Sequence, residues 1–219
     1  MLLERFVCGR ARSNAYVLAA DDRRAVIVDA GMGAARQVTD LVGAEDLLPQ
    51  ALVLTHGHPD HIWTARELSD RYEIGAYIHS DDVTWFTDPA TGAQLPVVRL
   101  AGRMLARSRR LRPARLRGVQ DGGTVEAGPF RVSVLHTPGH SRGSACLLVG
   151  DVCFAGDTVF KGNVGRAMYP GGDRGELAAS IRSKLLPLPD NVGLYPGHGR
   201  ETSVGQERAN WVRFLLDGA

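Results

Sequence analysis

Thr55-His56-Gly57-His58-Pro59-Asp60-His61 concentrates three imidazoles and a carboxylate within six residues. It follows the short apolar run Ala51–Leu54, which reads as a buried strand, and precedes the helix-like Ile62–Arg71. Its side chains therefore fall at the carboxyl end of a strand, where open α/β sheets collect their ligands. Borderline-soft nitrogens with one hard oxygen suit Zn²⁺ or a similar transition ion. A solvated polar loop is the plainer alternative, but packing four such donors into one turn without an ion would strand several polar groups.

Outward from this segment, 219 residues with 44% apolar content fit one sizeable α/β domain or two small ones. No apolar run approaches the roughly 20 residues of a membrane span, so no membrane association is expected. Met1-Leu2-Leu3-Glu4-Arg5 places an acid and a base ahead of any apolar core, so no secretory leader is readable and a cytoplasmic location is expected. Cys8, Cys146 and Cys153 are odd in number and lack metal-type spacing. They read as reduced, buried small hydrophobes.

The formal charge of +2 hides an asymmetry. Seven arginines between Arg103 and Arg117 stand without an acid, and removing them leaves the rest of the chain at −5. Such a block could face RNA or another anion. It has no interleaved aromatics for base stacking, so a helix with a solvated basic face is favoured and a nucleic-acid partner is not. Only Lys161 and Lys184 among the 26 basic residues are lysines, a bias that weakens any argument from arginine number.

In chain order, Leu2–Cys8, Asn14–Ala20 and Arg24–Asp29 read as strands, and Ala34–Val42 has helical spacing. Tyr72–Ile78 reads as a strand leading to His79, and Ser80-Asp81-Asp82 could cap a short helix over Val83–Phe86. Asp88–Gln120 loses regularity and reads as a loop or helical excursion. Strand signals return at Phe130–Leu135, Ser144–Val149 and Val152–Ala155, the last two joined by Gly150-Asp151 as a two-residue turn. Glu176–Leu186 and Gly205–Leu216 read as helices around a last strand, Val192–Tyr195. Meander, loop-helix, meander predicts two sheets with helices outside them. No linker divides the chain, so a single domain over residues 1–219 is expected.

Three further donors end later strands, each after a glycine: His140 in Thr137-Pro138-Gly139-His140, Asp157 in Gly156-Asp157-Thr158, and His198 in Tyr195-Pro196-Gly197-His198-Gly199. Singly, each reads as an ordinary hydrogen-bonded side chain. Together with the first four they make five histidines and two aspartates, enough to hold two ions that share a carboxylate.

These residues, with Ser13-Asn14-Ala15-Tyr16 and Val28-Asp29-Ala30-Gly31, resemble the metallo-β-lactamase-fold hydrolases, and within them the single-domain, glyoxalase II-like members. The resemblance implies an αββα sandwich, two mixed sheets with helices on the outer faces and a metal site along one edge. It implies two divalent ions, zinc in the first instance with iron or manganese as alternatives. One would lie on His56, His58 and His140, and the other on Asp60, His61 and His198, with Asp157 bridging. A metal-bridging hydroxide would then hydrolyse a small-molecule thioester or other acyl compound, with Asp60 orienting it and moving a proton.

His79 and His136 match no ligand position; His79 is expected to be structural, and His136 structural or a partner of a ligand. The stretch Phe160–Asp173 resembles the segment in which a cationic residue of glyoxalase II-like proteins meets a glutathione carboxylate. Arg166 and Tyr169 are its candidate substrate contacts, with a pairing of Arg166 to Asp173 as the alternative. Three other chemistries of the same fold stay open at this point. They are a persulfide dioxygenase-like oxidoreductase with one iron on His56, His140 and Asp157, a lactonase, and a phosphodiesterase.

Overall fold

The computed structural model describes residues 1–86, 111–167 and 171–216. Strands β1 (Leu2–Cys8), β2 (Ser13–Ala19) and β3 (Arg24–Val28) form an antiparallel meander. Helix α1 (Ala34–Ala44) then returns the chain to β4 (Leu48–Val53), which lies parallel to β3. The short helices α2 (Pro59–Ile62) and α3 (Ala65–Arg71) lead to β5 (Gly75–His79), again parallel. A 3-10 helix, Ser80–Phe86, follows it, and β6 (Leu116–Val119) completes the first sheet in the order β1-β2-β3-β4-β5-β6.

The second sheet begins with four antiparallel strands, β7 (Thr124–Ala127), β8 (Phe130–His136), β9 (Ala145–Val149) and β10 (Val152–Gly156). A small hairpin of β11 (Val159–Phe160) and β12 (Asn163–Val164) comes next. Helix α4 (Arg174–Ser180), prolonged by a π turn over Ile181–Leu185, leads to β13 (Gly193–Pro196), parallel to β10. Strand β14 (Thr202–Ser203) and helix α5 (Val204–Leu216) follow, giving the sheet order β14-β13-β10-β9-β8-β7.

Period-two alternation sorts the apolar residues into three layers. Tyr16, Leu18, Val26, Val28 and Val53 meet Val132, Val134, Leu147 and Phe154 between the sheets. Their neighbours Val17, Ile27 and Leu52 face outward against Val38 of α1 and Leu68 of α3. Cys146, Cys153 and Leu194 face the other way, against Leu177, Ile181 and Trp211. Burial on both faces is why β2 is apolar almost throughout instead of alternating. The three cysteines are free and buried, as expected, and no helix among the described residues is long and apolar enough to cross a membrane.

Three expectations need correction. Ile62–Arg71 is not one helix: the Thr64 amide and hydroxyl both bond to the Ala30 carbonyl, which draws the chain off the helical path between α2 and α3. The strand expected over Tyr72–Ile78 starts only at Gly75, because Tyr72 caps α3 and Glu73 turns with φ +52°. Within Asp88–Gln120, residues 88–110 lie outside the described residues, and with them Arg103, Arg107, Arg109 and Arg110; Leu116–Val119 is a strand. Its Leu-Arg-Gly-Val composition sits on a sheet edge with exposed positions, where neither alternation nor apolarity marks it. Of the remaining arginines, Arg115 lies 3.6 Å from Glu73 and Arg117 stands over the Tyr77 ring, both solvated.

The indole of Trp211 is fully enclosed by the helices and the outer face of the second sheet. Replacing it with alanine removes a large buried side chain that belongs to none of the donor groups at the strand ends, and Trp211→Ala should cost about 3–5 kcal/mol of unfolding free energy. Urea denaturation checks the loss, with bound metal per folded chain unchanged.

Candidate metal centre

The strand ends bring all seven expected donors together. His56 and His58 lie in the turn after β4, and Asp60 and His61 lie within α2, whose first turn Pro59 opens. From the second sheet come His140 after β8, Asp157 directly after β10 and His198 after β13. Among these seven, three groups have donor atoms close enough to hold an ion: His56, His58 and His140; Asp60, His61 and His198; and His56, His61 and Asp157. Asp157 sits between the first two. Its Oδ2 is 3.4 Å from His140 Nε2 and 3.5 Å from His198 Nε2, and its Oδ1 is 3.5 Å from His61 Nε2.

Hydrogen bonds behind the rings fix which nitrogen faces inward. The Thr55 hydroxyl donates to Asp29 Oδ2, so at 3.0 Å it accepts from His56 Nδ1. His61 Nδ1 donates to Asp29 at 2.8 Å, His140 Nδ1 to the Arg166 carbonyl at 2.8 Å and His198 Nδ1 to the Arg12 carbonyl at 3.2 Å. A neutral imidazole carries one N–H, so each of the four, in its neutral form, presents an Nε2 lone pair to the centre. Metal-ligating histidines are oriented in this way by carboxylates and carbonyls on their other nitrogen.

The consequence is a cluster of facing acceptors. His61 Nε2 stands 3.4 Å from His198 Nε2, acceptor against acceptor, while His140 Nε2 accepts from His58 Nδ1 at 2.8 Å. The buried atoms His56 Nε2 and Asp157 Oδ1 have no hydrogen-bond partner at all. Burial depresses the basicity of His56 and His140 and takes His58 down to about 3, so these rings stay neutral and keep their lone pairs. Burial also lowers His61, but Asp157 and Asp29 outweigh it and carry the ring up to about 9. At Asp60, burial acts upward, and His198 and His61 overcome it, holding the carboxyl below the usual range. Orphaned buried acceptors, neutral imidazoles and a central carboxylate fit a dinuclear divalent metal site.

Beside the centre opens a cavity of about 280 Å³ lined by His140, Asp157, Phe160, Asn163, Val164, Arg166 and His198. Arg166 thus lies at the expected wall, and its backbone has a second duty in orienting His140. Asp173 caps α4 by accepting from the Glu176 amide. Tyr169 lies outside the described residues. His79 and His136 stack face to face at 3.8 Å, and His136 Nε2 donates to the Arg142 carbonyl. With Asp81 they make a fourth group whose donor atoms lie within 4.8 Å of one another, apart from the seven and open to solvent at Asp81.

Asp29 was singled out by sequence only as part of a motif, without a role. It is buried at the end of β3 with φ +59°, and its carboxylate holds the Thr55 amide, the Thr55 hydroxyl and His61 at once.

The sheet layering and this donor set define a metal-dependent hydrolase scaffold. The chain belongs to the metallo-beta-lactamase superfamily, whose family model matches residues 8–198. It is 40% identical over 215 residues to an uncharacterized protein of Mycobacterium leprae, with 95% of this chain and 96% of the relative covered. It is 31% identical over 201 residues to the hydroxyacylglutathione hydrolase GloC of Haemophilus influenzae, covering 90% of each. Among solved structures, the BLEG-1 B3 metallo-beta-lactamase superposes with a TM-score of 0.80 at 34% identity, over 95% of this chain and 97% of that one. TTHA1623, in a di-iron-bound form, gives 0.74 at 29% identity, over 94% and 96%.

Gly197 precedes His198, and a methyl group there would press on Asp157 Oδ1 and the His61 ring. Gly197→Ala should therefore lower bound metal by at least one equivalent, read by elemental analysis of the purified protein. Gly43→Ala, in open space on α1, should keep its full metal content and gain up to about 1 kcal/mol in stability.

Proposed function

We propose that this protein hydrolyses the thioester of a small carboxylate-bearing molecule at a dinuclear centre, with zinc as the resident metal. His56, His58 and His140 would hold one ion, Asp60, His61 and His198 the other, and Asp157 both. The observation that carries the reading is the Asp157 carboxylate facing both groups at 3.4–3.5 Å beside an open cavity. The likeness to GloC favours a thioester among acyl substrates, and the di-iron form of TTHA1623 favours two ions over one.

Two such ions make water acidic, taking its pKa from about 15.7 towards about 7, and polarise an acyl carbonyl. The protein supplies the rest. Phe160 and Val164 on the β11–β12 hairpin form an apolar wall for the acyl or thiol chain, and Phe160 also packs edge-on against His198. Arg166 at the cavity wall is placed to pair with a substrate carboxylate through two parallel hydrogen bonds. Asp60 Oδ2, 3.4 Å from His198 Nε2, is held ionised and accepts the proton of the attacking water. Oxygen adds to the acyl carbon, the carbon–sulfur bond breaks, and that proton passes to the departing sulfur.

The test is metal content and turnover on one sample, with thioesters including S-D-lactoylglutathione set beside a lactone and bis(p-nitrophenyl) phosphate. Two metal equivalents and a preference for thioesters are expected. Asp60→Ala should lower kcat by about 100-fold or more. Arg166→Ala should raise KM for a carboxylate-bearing thioester by about 10-fold or more with kcat nearly unchanged. A single iron with oxygen uptake on a persulfide would replace this reading with the oxidoreductase.

A further inference from the structure

Asp82 lies in the 3-10 helix Ser80–Phe86, is 1% exposed and contributes no donor to the metal centre. Its carboxylate nevertheless reaches both loops that carry the His56, His58 and His140 group. Oδ2 accepts from the Gly57 amide at 2.7 Å and from the Ser141 hydroxyl at 2.7 Å, and Oδ1 accepts from the Gly143 amide at 2.8 Å. Gly57 lies between His56 and His58, and Ser141 follows His140. One buried side chain thus ties the peptide between two donors to the residue beside the third.

The rest of the short helix acts with it. Trp85 meets the His58 ring edge-on at 4.9 Å and fills the space where a side chain on Gly57 would lie. Ser141 is held in turn by Ser144, hydroxyl to hydroxyl at 2.7 Å, so the second loop arrives at Asp82 already shaped. Burying a carboxylate is costly unless its oxygens are satisfied, and here the three donors that satisfy it all come from these two loops. The arrangement mirrors Asp29, which serves His61 and the Thr55 behind His56.

We infer that Asp82 is a positioning residue for the His56, His58 and His140 ion site: it sets the distance between the two loops, and with it the affinity for that ion and not for its neighbour. The inference rests on the reading of these side chains as a two-ion centre. Asparagine keeps the shape of Asp82 but turns one acceptor into a donor, which then faces either the Gly57 amide and Ser141 or the Gly143 amide.

Zinc affinity measured by competition with a chromophoric chelator tests this in two single-site backgrounds. His198→Ala leaves the site in question, and His140→Ala leaves the other. Adding Asp82→Asn should weaken zinc binding about 10–100-fold in the first background and less than about 2-fold in the second. Ser141→Ala, which removes one of the three bonds, should act in the same direction by a smaller factor. Thermal unfolding of each metal-free variant establishes that it is folded. Unchanged affinity in the first background, or an equal loss in both, overturns the inference. If Asp82→Asn does not fold, an unchanged affinity in Ser141→Ala overturns it. Two bound zinc ions without thioester turnover in the unaltered protein would sink the proposed reaction and leave the role of Asp82 standing.

Discussion

Five imidazoles and two carboxylates converge at the strand ends, four of the rings with an Nε2 lone pair turned inward by hydrogen bonds behind them. His61 Nε2 and His198 Nε2, 3.4 Å apart and both oriented as acceptors by hydrogen bonds behind them, repel unless positive charge lies between. Without metal, only a proton can fill that role, and the elevated His61 is where the surrounding carboxylates would hold it. Two divalent cations satisfy the whole group at once, including the orphaned His56 Nε2 and Asp157 Oδ1. Much of the remaining architecture is a means of holding these acceptors in place against their mutual repulsion.

The two sheets divide that work. Four donors come from one short segment after β4 in the first sheet, and three come singly from successive strand ends in the second. The apolar layer between the sheets sets their spacing, with Tyr16 packed on Phe154 and Tyr195 just behind the centre. The Tyr16 hydroxyl and Asn14 amide both bond to the Pro196 carbonyl, fixing the turn that carries His198. An ion held by donors from both sheets is therefore also a cross-link between the halves of the fold. Anything that binds the folded form alone adds to its stability by mass action.

The seven converging side chains could be read from sequence because each carries its own signal: a histidine or aspartate just after an apolar run. The strands that carry them were legible for the same reason. What escaped was structure defined by partners. β6 and β7 are short edge pieces with little apolarity, identifiable only from the strands beside them. Asp29 is one acid at a strand end and Asp82 one of two in a row, and nothing in either local pattern separates it from a solvated turn residue. Only the folded chain shows that each is buried and that the groups it accepts from belong to the ligand loops. Arg166 was chosen for its guanidinium, yet its carbonyl bears directly on the centre, and a carbonyl is common to every residue type.

That distinction bears on how such a site can diverge. Groups that fix the ligands act largely through backbone amides and carbonyls: Gly57, Gly143, Arg12 and Arg166 each contribute a main-chain atom to holding a histidine or its supporting acid. At Arg166 the side chain is correspondingly free to change without moving His140, whereas Gly57 and Gly143 must stay bare, because a Cβ there would strike Trp85 and Asp82. The cavity wall is built the other way, from the side chains of Phe160, Asn163, Val164 and Arg166 on and just after a two-strand hairpin. That hairpin is anchored from behind, where the Gly162 amide donates to the buried Glu207 of α5. Substrate preference can therefore be rewritten on the hairpin at little cost to the metal centre, because the two are set by different parts of the same residues.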